Sequence, residues 1–236
     1  MIALFLAACY ADAAEPVNDP FEKLNRKVFM FNDVVDRYAL RPVAVGYRKI
    51  TPTYMYDGVN QVFSNIGELP TLINNGLQAK PSHAGKTFLR FLINSTLGFF
   101  GFFDVATQLG VLKKKEDFGQ TLAVWGVPSG PYLVLPFLGP STVRDSMQYL
   151  VDRIDTYALN KTDISDEKRL GFQGLSIINL RAQLLDVDTL ISGDRYLFLR
   201  NFYLQNRDYD INDGNVTMDE TPQEKIEQWD DDSWLN

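Results

Sequence analysis

The chain has one cysteine, Cys9, and one histidine, His83, in 236 residues. A single cysteine excludes an intrachain disulfide and any thiolate-built zinc site. His83 follows Lys80-Pro81-Ser82, a loop-like stretch, with no serine or cysteine at a nucleophile's spacing, and reads as a surface residue. No Gly-x-Ser-x-Gly elbow occurs. Gly85-Lys86-Thr87 has the look of a phosphate-loop ending, but the glycine needed five residues earlier is Lys80, so Lys86 reads as the solvated first turn of a helix. The acidic runs lack the glycine and spacing of a calcium loop. Neither a catalytic residue nor a metal ligand set or cofactor motif emerges, which favours a non-enzymatic role. A basic excess is also missing. From Asp208 to the end lie ten acids and one base, Lys225, a net of −9, which leaves +2 for residues 1–207. A near-neutral body with an acidic tail argues against nucleic acid and leaves a lipid headgroup surface open. Nor does any apolar run approach the roughly 20 residues that cross a bilayer.

What the chain does have is aromatic weight, with 16 Phe and 11 Tyr. It is densest between Lys86 and Leu109, where Phe88, Phe91, Phe99, Phe100, Phe102 and Phe103 crowd a stretch uncharged from Phe91 to Phe103. At 100° per residue these positions encircle a helix and leave no face for water. The expectation is a helix to Leu97, a turn at Gly98 and Gly101, and a second short aromatic helix from Phe99. Each buried Phe is worth about 1.5–3 kcal/mol, so the segment belongs either in a core or in lipid.

Upstream, Asp19-Pro20-Phe21-Glu22 has the form of a helix start, with Asp19 as cap. Phe21, Leu24, Val28, Phe31, Val35 and Tyr38 then make one stripe, with Phe29 and Met30 outside it. Such a girth suits a membrane-interface helix or a core helix with two surface apolar residues. Arg41-Pro42 is expected to break this helix. Further helices are expected over 42–49, 54–67 and 68–76, with Ser82 capping the next. Lys113-Lys114-Lys115-Glu116-Asp117 reads as a solvated turn, though three lysines also suit anionic headgroups. The prolines of 130–140 argue for an extended apolar crossing without a β-hairpin. Ser141 is expected to cap a helix to about Tyr157, Ser165 to start one through Leu185, and the last to run from Asp194 to Arg207. The fold class is all-α.

The N-terminus carries a separate clue. Leu6-Ala7-Ala8-Cys9 after an apolar start resembles the lipobox of bacterial lipoproteins, whose cysteine is acylated after cleavage. Residues 1–8 then read as a truncated signal peptide, without a basic start, and 9–18 as acylated Cys9 and a tether. Tyr10 rather than Asp after the cysteine is the type of residue that permits passage to the outer membrane in the best-known bacteria.

Several blocks then combine. Asp19-Pro20-Phe21-Glu22 with Asn25-Arg26, and Arg41-Pro42-Val43-Ala44, come first. Arg90 to Gly98 with Gly101 to Ala106, then Phe118-Gly119-Gln120-Thr121-Leu122 before Trp125-Gly126-Val127, follow. Gly130-Pro131-Tyr132 leads through Leu135-Pro136 to Gly139-Pro140 and Arg144-Asp145, and Arg181 to Asp186 closes the set. Across residues 19–207 this is similar to the VacJ/MlaA outer-membrane lipoproteins. The resemblance implies an all-α ring, partly embedded in the periplasmic leaflet of the outer membrane, with a central lipid pore. It implies removal of mislocalised phospholipids to a soluble periplasmic lipid carrier, maintaining lipid asymmetry, and association with a trimeric porin. A structural porin-bound lipoprotein, or a lipid-modifying enzyme, are the alternatives. Under this reading the pore-lining or membrane-contact candidates are Phe29, Met30, Phe31, Phe91, Leu97, Phe99, Phe100, Phe102, Phe103 and Leu135. The pore wall is expected from 88–109 and 122–140, and residues 208–236 are read as an acidic tail.

Overall fold

The structure, a computed structural model, describes residues 19–151, 165–186, 188 and 193–215. Cys9, the tether to residue 18 and the tail from 216 lie outside the described residues. Helix dominates, as expected, and the last helix continues past Arg207 through Asp208 and Asp210.

Helix α1 covers Glu22–Val35. Asp19 does not cap it. The Asp19 carboxylate accepts instead from Asn25 Nδ2 at 3.0 Å and from the Tyr196 hydroxyl, tying the entry of the helix to a distant part of the chain. Pro42 does not break the helix either. Asp36–Leu40 form one π-helical turn, in which the Arg41 N–H bonds five residues back to the Asp36 carbonyl, and α2 (Arg41–Ile50) follows with helical dihedrals throughout. The widened turn carries a carbonyl away from the proline ring, which removes the clash that otherwise stops a helix.

Three helices follow: α3 (Thr53–Ile66), α4 (Glu68–Leu77) and α5 (Pro81–Thr96). Pro81 takes the first position of α5, and no side chain caps it, so Ser82 lies inside the helix. His83 is therefore helical and half-buried, not part of a surface loop. The second aromatic helix expected from Phe99 does not form. Residues 97–103 make tight turns, and the short α6 (Val105–Gln108) begins only after Asp104, whose carboxylate accepts from the Thr107 N–H. Helix α7 (Phe118–Val124) is capped in the same way by Asp117. Glu116 and Asp117, expected in a solvated turn, are buried.

An antiparallel β-hairpin occupies the proline-rich stretch, contrary to expectation. Strand β1 (Tyr132–Leu135) pairs with β2 (Gly139–Thr142), with Tyr132 opposite Thr142 and Val134 opposite Pro140. In a two-stranded hairpin both strands are edges, where a proline is tolerated. The outer edge of β1 is closed by side chains of α1. Asn25 bonds to the Tyr132 carbonyl and the Val134 N–H (3.0 and 2.9 Å), and Asn32 to the Leu135 carbonyl and the Phe137 N–H (2.9 and 2.8 Å). Seven helical residues rise about 10.5 Å, and three strand residues about 10 Å. Two asparagines two turns apart therefore meet equivalent peptides of the strand. Thr142, not Ser141, caps the next turn, α8 (Val143–Ser146), followed by α9 (Gln148–Val151). The remainder of the helix expected to Tyr157 lies outside the described residues.

Helix α10 (Asp166–Gln183) starts at Ser165 as expected, and α11 (Arg195–Ile211) starts at Asp194, whose carboxylate accepts from the N–H groups of Tyr196 and Leu197. α10 packs on α2 and α3, with Tyr47 donating to Asn179 and Gln183 to Asn60. A small apolar core joins α1, β1 and α11: Tyr132, Val134 and Tyr196, with Val28, Phe29, Leu197, Tyr203 and Leu204 against them.

Candidate lipid-contacting surface

Elsewhere the interior is polar. Among the described residues six hydrophobic side chains are buried, against twenty-one polar or charged ones. The inversion is built into the helices. In α4 the inward positions are Glu68, Thr71, Asn74 and Asn75, while Ile73 and Leu77 face out; in α5 they are Thr87, Arg90 and Asn94, while Phe88, Leu89 and Leu92 face out. Each inward set recurs at steps of three and four, so each helix is amphipathic with its polar face turned to its neighbours.

Burying polar groups without partners costs several kcal/mol each, so this packing stands only if they find one another. They do. Arg90 donates to Glu68 (3.1 Å), Thr107 (2.9 Å), both Asp104 oxygens (3.1 and 3.2 Å) and the Val111 carbonyl. Asn94 donates to Asp104 (3.0 Å) and accepts from the Ala106 N–H (2.9 Å). Thr121 donates to Asn74 (2.7 Å), and Gln78 to Glu116 (2.9 Å). Burial works against ionisation of Asp104, but hydrogen bonds from Thr107 and Asn94 and the Arg90 charge outweigh it and hold the carboxyl below its usual range. A second ionic knot lies behind the hairpin. Arg207 grips Asp117 with two bonds (2.6 and 2.7 Å) and reaches Asp145 (3.0 Å), which also accepts from Tyr203 (2.8 Å). Gly119 is required there, because a Cβ would lie 2.3 Å from Arg207 Nη2.

This network holds the aromatic elbow in place. Phe99 and Phe100 both adopt positive φ, 52° and 58°, a region that costs a non-glycine residue about 1–3 kcal/mol. The Phe100 N–H bonds to the Ser95 carbonyl, the Gly101 N–H to Asn94 and the Phe103 N–H to Gly98, so the turn is wound back onto the end of α5. Gly98 has no room for a side chain, a Cβ lying 2.2 Å from the Phe103 carbonyl. Phe102 points inward against Gly58 of α3. Leu97 (70% exposed), Phe99 (69%), Phe100 (74%) and Phe103 (56%) project outward. A strained turn that presents three phenylalanines to the outside does not keep them dry by packing. Within this chain Phe99, Phe100 and Phe103 are not core residues, whereas Phe102 is packed.

The remaining sequence candidates divide. Met30 and Phe31 are exposed, and Phe31 meets Phe137 edge to face at 5.2 Å, joining α1 to the hairpin tip. Phe91 and Leu135 are half-buried. Phe29 turns the other way, edge-on to Tyr196 at 5.8 Å against the apolar core, and Phe102 packs on Gly58, so neither projects outward with the others. Cys9 lies outside the described residues. Exposed Phe137, Leu138, Leu109 and Leu112 were not anticipated. The signal that could have found Phe137 is the Pro136 to Gly139 sequence, which marks a turn tip. No described helix is long and apolar enough to cross a membrane.

The family model described as MlaA lipoprotein matches residues 17–210. The chain belongs to the MlaA family. It is 36% identical over 211 residues to the intermembrane phospholipid transport system lipoprotein MlaA of Escherichia coli K12, covering 87% of this chain and 83% of that protein. Identity to the lipoprotein of the same name from Haemophilus influenzae is 32%, over 84% and 81% of the two chains. A Rickettsia conorii protein is 43% identical over 190 residues, 78% of this chain and 74% of that one. A solved structure described as the structural basis for maintenance of bacterial outer membrane lipid asymmetry superposes with a TM-score of 0.70 at 34% identity, covering 82% of this chain and 99% of that one. The mostly helical MlaA fold is therefore that of this chain.

Proposed function

We propose that this protein sits in the periplasmic leaflet of the outer membrane and moves phospholipid out of it towards a soluble periplasmic lipid carrier, maintaining lipid asymmetry. The names of the E. coli and Haemophilus relatives support the transport role. The observation that carries the seating is the inverted burial of α4 and α5, with the elbow at the end of α5. The outward apolar face of α5 runs from Phe88 to Leu97, nine residues or about 13.5 Å of rise. Half a bilayer's hydrocarbon is about 15 Å thick. Set along the bilayer normal, this face fills one leaflet and stops short of the other.

Lipid export needs such a surface. A phospholipid carries about 30 chain methylenes at roughly 0.8 kcal/mol each, so exposure to water costs over about 20 kcal/mol. A carrier-bound route must keep an apolar path throughout. We assign one wall of a central pore to 88–109 and the other to 122–140, with acylated Cys9 and the 10–18 tether as anchor after residues 1–8 are removed, and a trimeric porin as the membrane partner. No catalytic residue is part of this reading.

The test is transfer of fluorescent phospholipid from porin-containing vesicles to an acceptor carrier by the acylated protein. The expected result is transfer that Phe99→Asp/Phe100→Asp abolishes. Unchanged transfer by that variant, or none by the native protein, contradicts the proposal.

A further inference from the structure

We propose that the cavity at the start of α5 binds the phosphodiester of a phospholipid headgroup. This rests on the seating proposed above. The cavity is about 420 Å³, and its walls are the first turns of α5, the 112–115 loop and the C-terminal end of α11 with Asp213 and Gly214. That volume falls in the usual range for small-ligand sites, roughly 300–1,000 Å³.

Its lining is basic. Lys86, Lys113, Lys114 and Lys115 contribute four positive charges against Asp210 and Asp213. Asp213 is already met by Lys114 and by Lys80 (both 2.8 Å), and Asp210 accepts from Asn206 (3.1 Å). Lys113 is turned to Ser64 (2.7 and 2.8 Å). Lys86 and Lys115 make no ion pair among the described residues, so their charge is available to an anion.

A third group points the same way. His83 lines the cavity, and its Nδ1 is buried without a hydrogen-bond partner in the protein. A phosphate oxygen is a fitting acceptor for an N–H there, and charge-assisted bonds from two lysines add strength and selectivity. Metal binding is the competing use of this corner, because ligand atoms of His83, Glu116 and Asp213 lie within 4.8 Å of one another. The Lys80 ammonium, however, bridges both carboxylates, at 3.3 Å to Glu116 and 2.8 Å to Asp213. With further lysines around it, the corner repels a cation and attracts an anion.

Position distinguishes a headgroup from a stray phosphate. Lys86 and Leu97 lie eleven residues apart on and just past α5, about 16 Å of rise. With the elbow among acyl chains, the cavity lies at the level of the phosphates of the same leaflet. Lipid phosphate then meets Lys86, Lys115 and His83 beside the apolar face that accepts its chains.

The single histidine makes the test direct. The imidazole Cε1–H resonance of the acylated full chain, in maltoside micelles at constant pH, reports this cavity alone. Glycerophosphoglycerol is expected to shift it saturably, and Lys86→Glu/Lys115→Glu to weaken that binding about tenfold or more, with Lys86→Gln intermediate. No saturable shift, a shift unaltered by charge reversal, or a shift with inorganic phosphate but not with the diester overturns the proposal. Nickel accessibility of a spin label at Leu97 in phosphatidylcholine vesicles reads the seating separately. A shielded label with a silent histidine rejects the cavity alone, whereas a water-exposed label rejects the seating.

Discussion

Arg90 and Glu68 meet at 3.1 Å between α5 and α4, and neither side chain is more than 2% exposed. Phe88 and Leu89, adjoining Arg90 in sequence, stand out from the same helix. In these two helices charge lies inside and hydrocarbon outside, as the proposed seating in lipid requires, and the buried Arg90 and Glu68 are paired with each other.

Breaking that pair is expected to be costly. Arg90→Met takes from buried Glu68 and half-buried Asp104 the cation they share, leaving Glu68 only Lys113 at 3.5 Å, for a loss of about 3–5 kcal/mol. Arg90→Lys recovers only part, since one ammonium cannot replace a planar fork that reaches Glu68, Thr107, Val111 and Asp104 together. Urea unfolding in detergent measures both.

The elbow predicts the opposite pattern. Phe99→Asp and Phe100→Asp are expected to fold normally, because both side chains are exposed, and to bind membranes less tightly. At about 1.5–3 kcal/mol for each lost phenylalanine, partitioning should fall by about 10–100-fold per substitution. Phe29→Asp should unfold the α1–β1–α11 core instead. Circular dichroism together with vesicle partitioning of a non-acylated chain separates the two.

Much of this was legible in the sequence, and the failures have physical causes. The helix start at Asp194 follows from capping chemistry that needs no tertiary information, while Ser165 takes its expected N-cap position without a side-chain bond. At the elbow the aromatic run favours a second helix from Phe99, but Gly98 and Gly101 and the positive φ of Phe99 and Phe100 wind residues 97–103 into turns instead. Thr87, Arg90 and Asn94 form a polar stripe with helical spacing in the same window, and that stripe is the one that faces inward. Asp19 and Pro42 were misassigned for another reason: distant Tyr196 and a π-turn decide their roles. The hairpin was hidden by its prolines, and only Asn25 and Asn32, seven residues apart, completed its edge.

That edge has its own prediction. Asn25→Asp keeps the acceptor for the Val134 N–H but loses the donor to the Tyr132 carbonyl, and sets a carboxylate beside Asp19. A loss of about 1–3 kcal/mol is expected, with faster amide exchange at Val134. Asn25→Gln, longer by a methylene, should not restore it.

Stability should also fall in acid. Burial alone raises the carboxyls of Asp117 and Asp145, but the bonds and charge of Arg207 overcome it, so both lie below their usual range, as does Asp104. Folded values below the unfolded one, about 3.9, contribute stability that is complete above that pH and lost as pH falls through the folded values. The unfolding midpoint is expected to change little from pH 7 to 5 through these groups and to drop below about pH 4. Asp117→Asn should lower it at neutral pH and flatten the acid limb.

The most direct measurement is depth. With Cys9 acylated as proposed, a single spin label can be placed at Leu97 or at Lys86 of the membrane-bound protein, and its accessibility to oxygen and to a water-soluble nickel complex compared. The account predicts Leu97 among acyl chains, about 16 Å deeper than Lys86, with Lys86 at the headgroups. Equal, water-like nickel accessibility at both positions would contradict it.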